Sequence, residues 1–145
     1  VPLLQEGWGF INISHCKDAL LIGWSHRKIG IDIEKSDRSF NTKFLTKKIC
    51  NYQDHEILKV SSKEKQRKIL LAKWVAKEAA LKWQRGSLFK DLKEWESFQN
   101  SQIYIHKSSG IKVFIDLIKF QSWHIGIAYN RTKYHHLPIL CFENN

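Results

Sequence analysis

Hydrophobic positions recur with two different periods along this chain, and the change of period separates predicted strands from predicted helices. In the first 34 residues, short apolar stretches alternate with polar positions, a pattern typical of strands. We predict strands at 8–13, 19–24 and 29–34. Because the gaps between them are short, these strands are expected to form an opening meander.

The middle of the chain loses this alternation and predicts three helices. Ser36 or Asp37 is the predicted cap of a helix that runs to about residue 48, and Asn51 is the predicted cap of a second helix covering 53–60. Residues 64–85 contain neither Gly nor Pro and are rich in Leu, Ala, Lys and Glu, which predicts a long helix. Ser61 or Ser62 is expected to cap this helix, and Gly86 is expected to end it.

The alternating pattern then returns, and it completes the predicted fold. Strands are predicted at 102–106, 111–118 and 123–129, with a turn at 108–110 and a further edge strand at 137–142. The expected fold class is α+β, an antiparallel sheet with helices inserted between strands and packed on one face. At 145 residues, the chain is expected to form one domain.

The predicted long helix carries an acid and a lysine on its inward stripe. Trp74, Glu78 and Lys82 follow one another at i, i+4 and i+8, and Leu71 and Leu81 lie close to the same stripe. A charge on a buried face requires a partner, because an unpaired buried charge is costly. The alternative is an ordinary surface pair formed by Glu78 and Lys82.

The third predicted strand supplies candidate partners for that stripe. Its pleat sends Gly30, Asp32 and Glu34 to one face and the isoleucines to the other. Two carboxylates beside a glycine suit a hard divalent cation such as Mg²⁺, and Glu78 could add a third carboxylate from the helix. The alternative is that Asp32 and Glu34 lie on a solvated strand face. Each short motif taken alone favours this alternative, because short motifs often match by chance.

Composition narrows the classes of protein without choosing a function. The formal net charge is +10, and residues 59–85 contain nine Lys or Arg against Glu64 and Glu78 alone. Such a surface attracts polyanions, whether nucleic acid, a small phosphorylated molecule or an acidic protein. Three widely spaced cysteines form no zinc pattern and indicate a reducing cytoplasm. No apolar run is long enough to span a bilayer, and no signal peptide opens the chain.

Three ordered motifs resemble a known family. Gly30–Glu34 and, some forty residues later, Trp74–Lys82 resemble the signature pair of phosphopantetheinyl transferases. Phe10–His15 resembles a third motif, found in the two-lobed surfactin-type (Sfp-type) class. The resemblance covers roughly 10–88 and implies magnesium-dependent transfer of phosphopantetheine from coenzyme A to a serine of an acyl- or peptidyl-carrier protein.

The resemblance also implies roles for individual residues. Asp32, Glu34 and Glu78 match the metal-binding carboxylates, and the catalytic set would be Glu34, Glu78 and Lys82. Lys82 matches the lysine that contacts the transferred phosphate. Ser14 and His15, expected just after a strand, would bind coenzyme A through hydroxyl, imidazole and backbone N–H groups. Lys77 also matches the motif, although a solvated or a structural role is at least equally expected for it.

The chain departs from the family pattern in three places. Family members often carry an acid in the helix after the third strand, and its nearest matches here are Asp54 and Glu56. Where the family has a small Gly-containing turn, this chain has residues 83–88. The third motif falls near the end of the first lobe in the two-lobed class, and this chain contains no Met. We therefore expect residues 1–145 to be a single domain forming the C-terminal part of a two-lobed protein, or a homo-oligomer that completes its site with a second copy.

Two other functions stay open at this stage. One is a basic nucleic-acid-binding module, and the other is a catalytically inactive remnant that docks carrier proteins. Three acids in one binding site would be awkward for a nucleic-acid groove, so we predict carrier protein and coenzyme A as partners. Neither nucleic acid nor membrane is a predicted partner.

Overall fold

Seven strands and three helices form in the part of the chain that the structure describes, residues 4–86, 92–98 and 101–130 of a computed structural model. In chain order they are β1 (Phe10–Cys16), β2 (Ala19–Ser25), β3 (Ile29–Lys35), α1 (Thr42–Ile49), α2 (Tyr52–Lys59), α3 (Lys63–Gln84), β4 (Trp95–Ser97), β5 (Ile103–His106), β6 (Lys112–Phe120) and β7 (Trp123–Tyr129). The edge strand predicted at 137–142 lies outside the described residues. The three-residue β4 was not predicted.

The strands form two antiparallel sheets. β1 and β2 make a hairpin, and the other five strands follow the order β3-β7-β6-β5-β4. The α+β prediction, with helices between strands, is confirmed. The predicted opening meander is wrong, because β3 leaves the hairpin and pairs with β7, from Ile29 opposite Tyr129 to Lys35 opposite Trp123. Pairing with β7 makes β3 part of the central sheet and allows both of its faces to be covered.

The isoleucine face of β3 packs beneath the hairpin. Ile29, Ile31 and Ile33 form an apolar cluster with Ile125 and Ile127 of β7. The hairpin covers this cluster through Cys16, Ala19 and Leu21. Burial of these side chains holds the hairpin against the central sheet.

The other face of β3 packs against α3, as the predicted one-sided arrangement requires. The approach is so close that a Cβ added to Gly30 would lie 2.2 Å from the backbone oxygen of Ala79. Gly126 of β7 makes a similar approach to Val75. Glycine at these positions brings the helix down onto the sheet and presses the acidic side chains of β3 against it.

The helix N-termini follow the predicted capping chemistry in two of three cases. The Asn51 side chain accepts a hydrogen bond from Asp54 N in a capping box, and the Ser62 hydroxyl accepts one from Lys65 N. α1 begins later than predicted, after Asn41 rather than Ser36 or Asp37. The Ser36 amide is instead bound to the Ser122 carbonyl at 2.7 Å, which ties this segment to the sheet.

Candidate active site

Three layers of the fold contribute side chains to one buried cluster around Asp32. The Ser14 hydroxyl of β1 donates a hydrogen bond to Asp32 Oδ1 at 2.8 Å. Lys82 Nζ of α3 donates to the same Oδ1 and to Ser14 Oγ, each at 2.8 Å. The Ile33 amide also donates to Ser14 Oγ, at 3.3 Å. Hairpin, central sheet and helix are therefore joined at this point by a closed triangle of polar contacts.

Glu78 lies one turn before Lys82 on α3 and is 5% exposed. Burial, and after it the negative charge of Asp32, raise its pKa to about 7, although Lys82, Lys48 and Arg38 act in the opposite direction. Burial also raises the pKa of Asp32, against the influence of Lys82. The effect of the Asp32 charge on Glu78 indicates that the two carboxyl groups lie near each other, between β3 and α3.

Two carboxylate oxygens in this cluster have no hydrogen-bond partner among the residues that the structure describes. They are Asp32 Oδ2 and Glu78 Oε1, and both are buried. Buried carboxylate oxygens are costly unless a positive charge or a donor satisfies them. Since oxygen is the ligand type that Mg²⁺ prefers, this pair fits a magnesium ion held by a few protein ligands.

The third predicted metal ligand is engaged elsewhere. Glu34 forms an ion pair with Arg38, four residues further along the chain. Within residues 4–86, 92–98 and 101–130, no group of three or more His, Cys, Asp or Glu side chains is arranged to hold a metal ion. The structure therefore brings together Ser14, Asp32, Glu78 and Lys82, and leaves Glu34 at the edge, bound to a cation of its own chain.

His15 lies outside this cluster. Successive side chains of a strand point to opposite faces, and Ser14 is buried whereas His15 is exposed. The prediction that Ser14 and His15 end the strand is wrong, because β1 continues to Cys16 and His15 pairs with Leu20 of β2. The backbone N–H groups of Ser14 and His15, which the sequence analysis assigned to phosphate binding, therefore belong to the β1–β2 hairpin.

The other acids and lysines named from the sequence have structural contacts. Lys77 is buried and donates to the Ile49 carbonyl at 2.6 Å, which fastens the end of α1 to α3, and burial lowers its pKa to about 8. Asp54 pairs with Lys73 at 2.6 Å, and Glu56 pairs with Lys59 at the surface. In the described residues, neither Asp54 nor Glu56 joins the cluster around Asp32.

Sequence reasoning missed two cations beside Glu78. The Arg38 guanidinium and Lys48 Nζ lie 5.3 and 5.5 Å from the ring centroid of Trp74, one turn before Glu78. With Phe44, they line a cavity of about 240 Å³ between α1 and α3. The i, i+4 rule for helices gives no signal for the first of these cations, because Glu34 lies on β3 and Arg38 in the loop after it. Nothing local in the sequence indicates Lys48, which α1 brings to this place.

Comparison with known proteins identifies the family. The profile of the 4′-phosphopantetheinyl transferase superfamily matches residues 28–138. The chain therefore belongs to the 4′-phosphopantetheinyl transferase superfamily, and the matched region contains Asp32, Glu34, Glu78 and Lys82.

Other comparisons add less. The crystal structure of holo-ACP-synthase from Plasmodium yoelii aligns with 72% of this chain and 95% of its own, at 18% identity and a TM-score of 0.46. No curated protein matches the chain. Among the described helices, none combines the length and apolar character needed to cross a membrane.

Proposed function

We propose that this chain transfers the phosphopantetheine group of coenzyme A to a serine of an acyl- or peptidyl-carrier protein, converting the apo carrier to its holo form. The observation that carries the proposal is the buried pair of partnerless oxygens, Asp32 Oδ2 and Glu78 Oε1, beside Lys82. Buried acids beside a lysine form a suitable cradle for a metal-bound diphosphate.

Each side chain of the cluster has a definite part in this proposal. Asp32 and Glu78 would hold Mg²⁺, with Glu34 as a third ligand or as the acceptor of the serine proton. The bound ion would supply positive charge against the charge that develops on the pyrophosphate. Lys82 holds an oxygen of the transferred phosphoryl group, and the Ser14 hydroxyl fixes the positions of Lys82 and Asp32.

At phosphorus, the reaction forms one P–O bond and breaks another, and one proton moves from the serine hydroxyl. The carrier serine oxygen bonds to the β-phosphorus of coenzyme A, and the bond from that phosphorus to the bridging oxygen breaks. Adenosine 3′,5′-bisphosphate leaves with the bridging oxygen, and the serine proton passes to a carboxylate, for which we propose Glu34. The Arg38 ion pair orients the Glu34 carboxylate.

Cationic side chains lie next to the cluster, on the side that we propose for an acidic carrier protein. Arg38 and Lys48 flank the cavity beside Trp74, and the exposed ring of Phe44 lies at its edge. We propose that the carrier protein docks on this side. We assign the chain to the Sfp-type class because of its Phe10–His15 motif. We propose the cytoplasm as its compartment, where the free thiols of Cys16 and Cys50 would stay reduced.

The direct test is mass spectrometry of a purified apo carrier protein after incubation with coenzyme A, Mg²⁺ and this chain. A gain of the phosphopantetheine mass is expected, and chelation of Mg²⁺ should prevent it. Asp32→Ala and Glu78→Ala should each abolish transfer while circular dichroism shows a folded protein. Glu64→Ala, at an exposed position of the same helix, is the matched control and should transfer normally. Normal transfer by both cluster variants would refute the proposal.

A further inference from the structure

The segment between β3 and α1, residues 36–41, is fastened to α3 by the side chain of Arg67. The half-buried Arg67 guanidinium donates a hydrogen bond from Nη2 to the backbone carbonyl of Arg38. Its Cζ also lies 4.8 Å from the centroid of the Phe40 ring. Both contacts suit arginine, because its planar group can donate to an oxygen while one face stacks on an aromatic ring. One side chain of the helix therefore contacts two residues of the segment.

Arg38 carries this constraint into the candidate site. Its side chain forms the ion pair with Glu34, and its guanidinium lies over the ring of Trp74. The reach of a side chain depends on the position of its own backbone, so the contact at the Arg38 carbonyl also limits where the guanidinium can lie. The Glu34 side chain is only 16% exposed, and a carboxylate with so little solvent takes its orientation mainly from its charged partner. A shift of Arg38 would therefore shift this carboxylate.

Arg67 lies on the same stripe of α3 as the buried acid of the site. Arg67, Leu71, Trp74 and Glu78 are separated by four, three and four residues, which places them on one face of the helix. The helix sets the position of Glu78 directly, and it sets that of Glu34 through the contacts of Arg67. Both carboxylates therefore take their positions from one element.

We propose that Arg67 is a positioning residue for the transfer reaction, which holds Arg38 and through it the Glu34 carboxylate. This inference rests on the proposed function, in which Glu34 is a third metal ligand or accepts the serine proton. Arg67 needs no contact with either substrate for this role. A displacement of a reacting group by about 1 Å can cost on the order of a hundredfold in rate, so the loss of Arg67 should appear in kcat.

Steady-state kinetics of Arg67→Ala with coenzyme A, Mg²⁺ and one carrier protein tests the inference. We expect kcat to fall about tenfold while KM for coenzyme A changes less than about twofold. Arg67→Lys keeps a donor for the Arg38 carbonyl and should bring kcat back to within about threefold of the wild type. Lys68→Ala is the matched control, because Lys68 is the next residue of α3, is exposed and pairs with Glu64. Both kinetic constants of this control should equal those of the wild type.

A double-mutant cycle separates positioning from a general loss of stability. Arg38→Ala removes the ion pair with Glu34, so Arg67 has no carboxylate left to position. In that background Arg67→Ala should lower kcat by less than about twofold, whereas independent effects would multiply. Urea unfolding checks that each variant is folded in the assay, and Arg67→Lys replaces Arg67→Ala in the cycle if the alanine variant is not. Wild-type kcat in Arg67→Ala, or the full loss in the Arg38→Ala background, overturns the inference.

If the wild-type chain transfers nothing, the proposed function fails, and amide hydrogen exchange decides separately whether Arg67 holds the segment. The Arg38 amide donates to the Lys35 carbonyl at 3.1 Å, so its exchange reports how firmly this part of the chain is held. Exchange at Arg38 should be at least about fivefold faster in Arg67→Ala than in the wild type and in Lys68→Ala. Equal exchange in the three proteins would contradict the inference.

Discussion

Glu78 is an acid whose charge the protein interior opposes at neutral pH. Its pKa of about 7 lies well above the ordinary value of 4.5, first because of burial and then because of Asp32. Between these two values the folded chain binds a proton that the unfolded chain releases. The contribution of Glu78 to stability is thus fully present below pH 4.5 and is lost as the pH rises through 7.

This titration predicts a pH-dependent effect of Glu78→Gln on stability. Without Mg²⁺, the free energy of unfolding of the wild-type chain should fall relative to that of the variant by roughly 3 kcal/mol between pH 4.5 and 8. Urea unfolding of both proteins at several pH values measures the difference. Glu64→Gln, which changes an exposed acid, should follow the wild type through this range. A constant difference between wild type and Glu78→Gln would contradict the assigned pKa.

At the scale of elements, β3 depends on the close approach of α3. Gly30→Ala would place a methyl group 2.2 Å from Ala79 O and 2.3 Å from Trp83 N, both of them backbone atoms that cannot move alone. We expect this variant to lose at least about 3 kcal/mol of stability, since the helix must shift from the sheet. Glu78 and Lys82 would shift with the helix, so transfer should also fail.

Gly110→Ala is the control for this prediction. Gly110 has φ of +68° but no heavy atom near the added methyl group, so only the backbone conformation opposes the change, at a cost of about 1 kcal/mol. Thermal or urea unfolding of the two variants compares the costs. Equal losses in both variants would show that close packing at Gly30 does not set the position of α3.

The elements themselves were largely predictable because their signals are local. Period-two alternation placed β2, β3 and β7 within a residue of their bounds, and cap residues located the starts of α2 and α3. The pairing of β3 with β7 was not predictable from spacing, since residues some ninety positions apart meet only in the folded sheet.

The site shows the same division between local and long-range information. The helical stripe and the strand face predicted that Glu78 and Lys82 approach Asp32; Lys82 contacts Asp32 at 2.8 Å, and Glu78 lies near enough for the Asp32 charge to raise its pKa. The ion pair between Glu34 and Arg38 depends on the loop after β3. The exposure of the His15 side chain depends on the length of β1. Neither follows from the motif residues alone.

At the scale of the whole molecule, the net charge of +10 should govern encounter with an acidic partner. We expect kcat/KM for an acidic carrier protein to fall about tenfold or more between 50 and 500 mM NaCl, with kcat little changed, because screening weakens long-range attraction. Steady-state kinetics at a series of salt concentrations measures this dependence. A rate indifferent to salt would argue against electrostatic docking.

Salt-sensitive DNA or RNA binding that needs neither Mg²⁺ nor Asp32 would favour the nucleic-acid-binding alternative.

The triangle of Ser14, Asp32 and Lys82 spans every boundary between the layers of the fold. Separation of the hairpin alone would strip Ser14 from the other two groups, even with α3 and the five-stranded sheet still native. Catalytic competence would thus disappear at the first partial opening of the molecule, before helix content changes. The turnover rate would therefore report the stability of the weakest interface between layers, not the global stability of the fold.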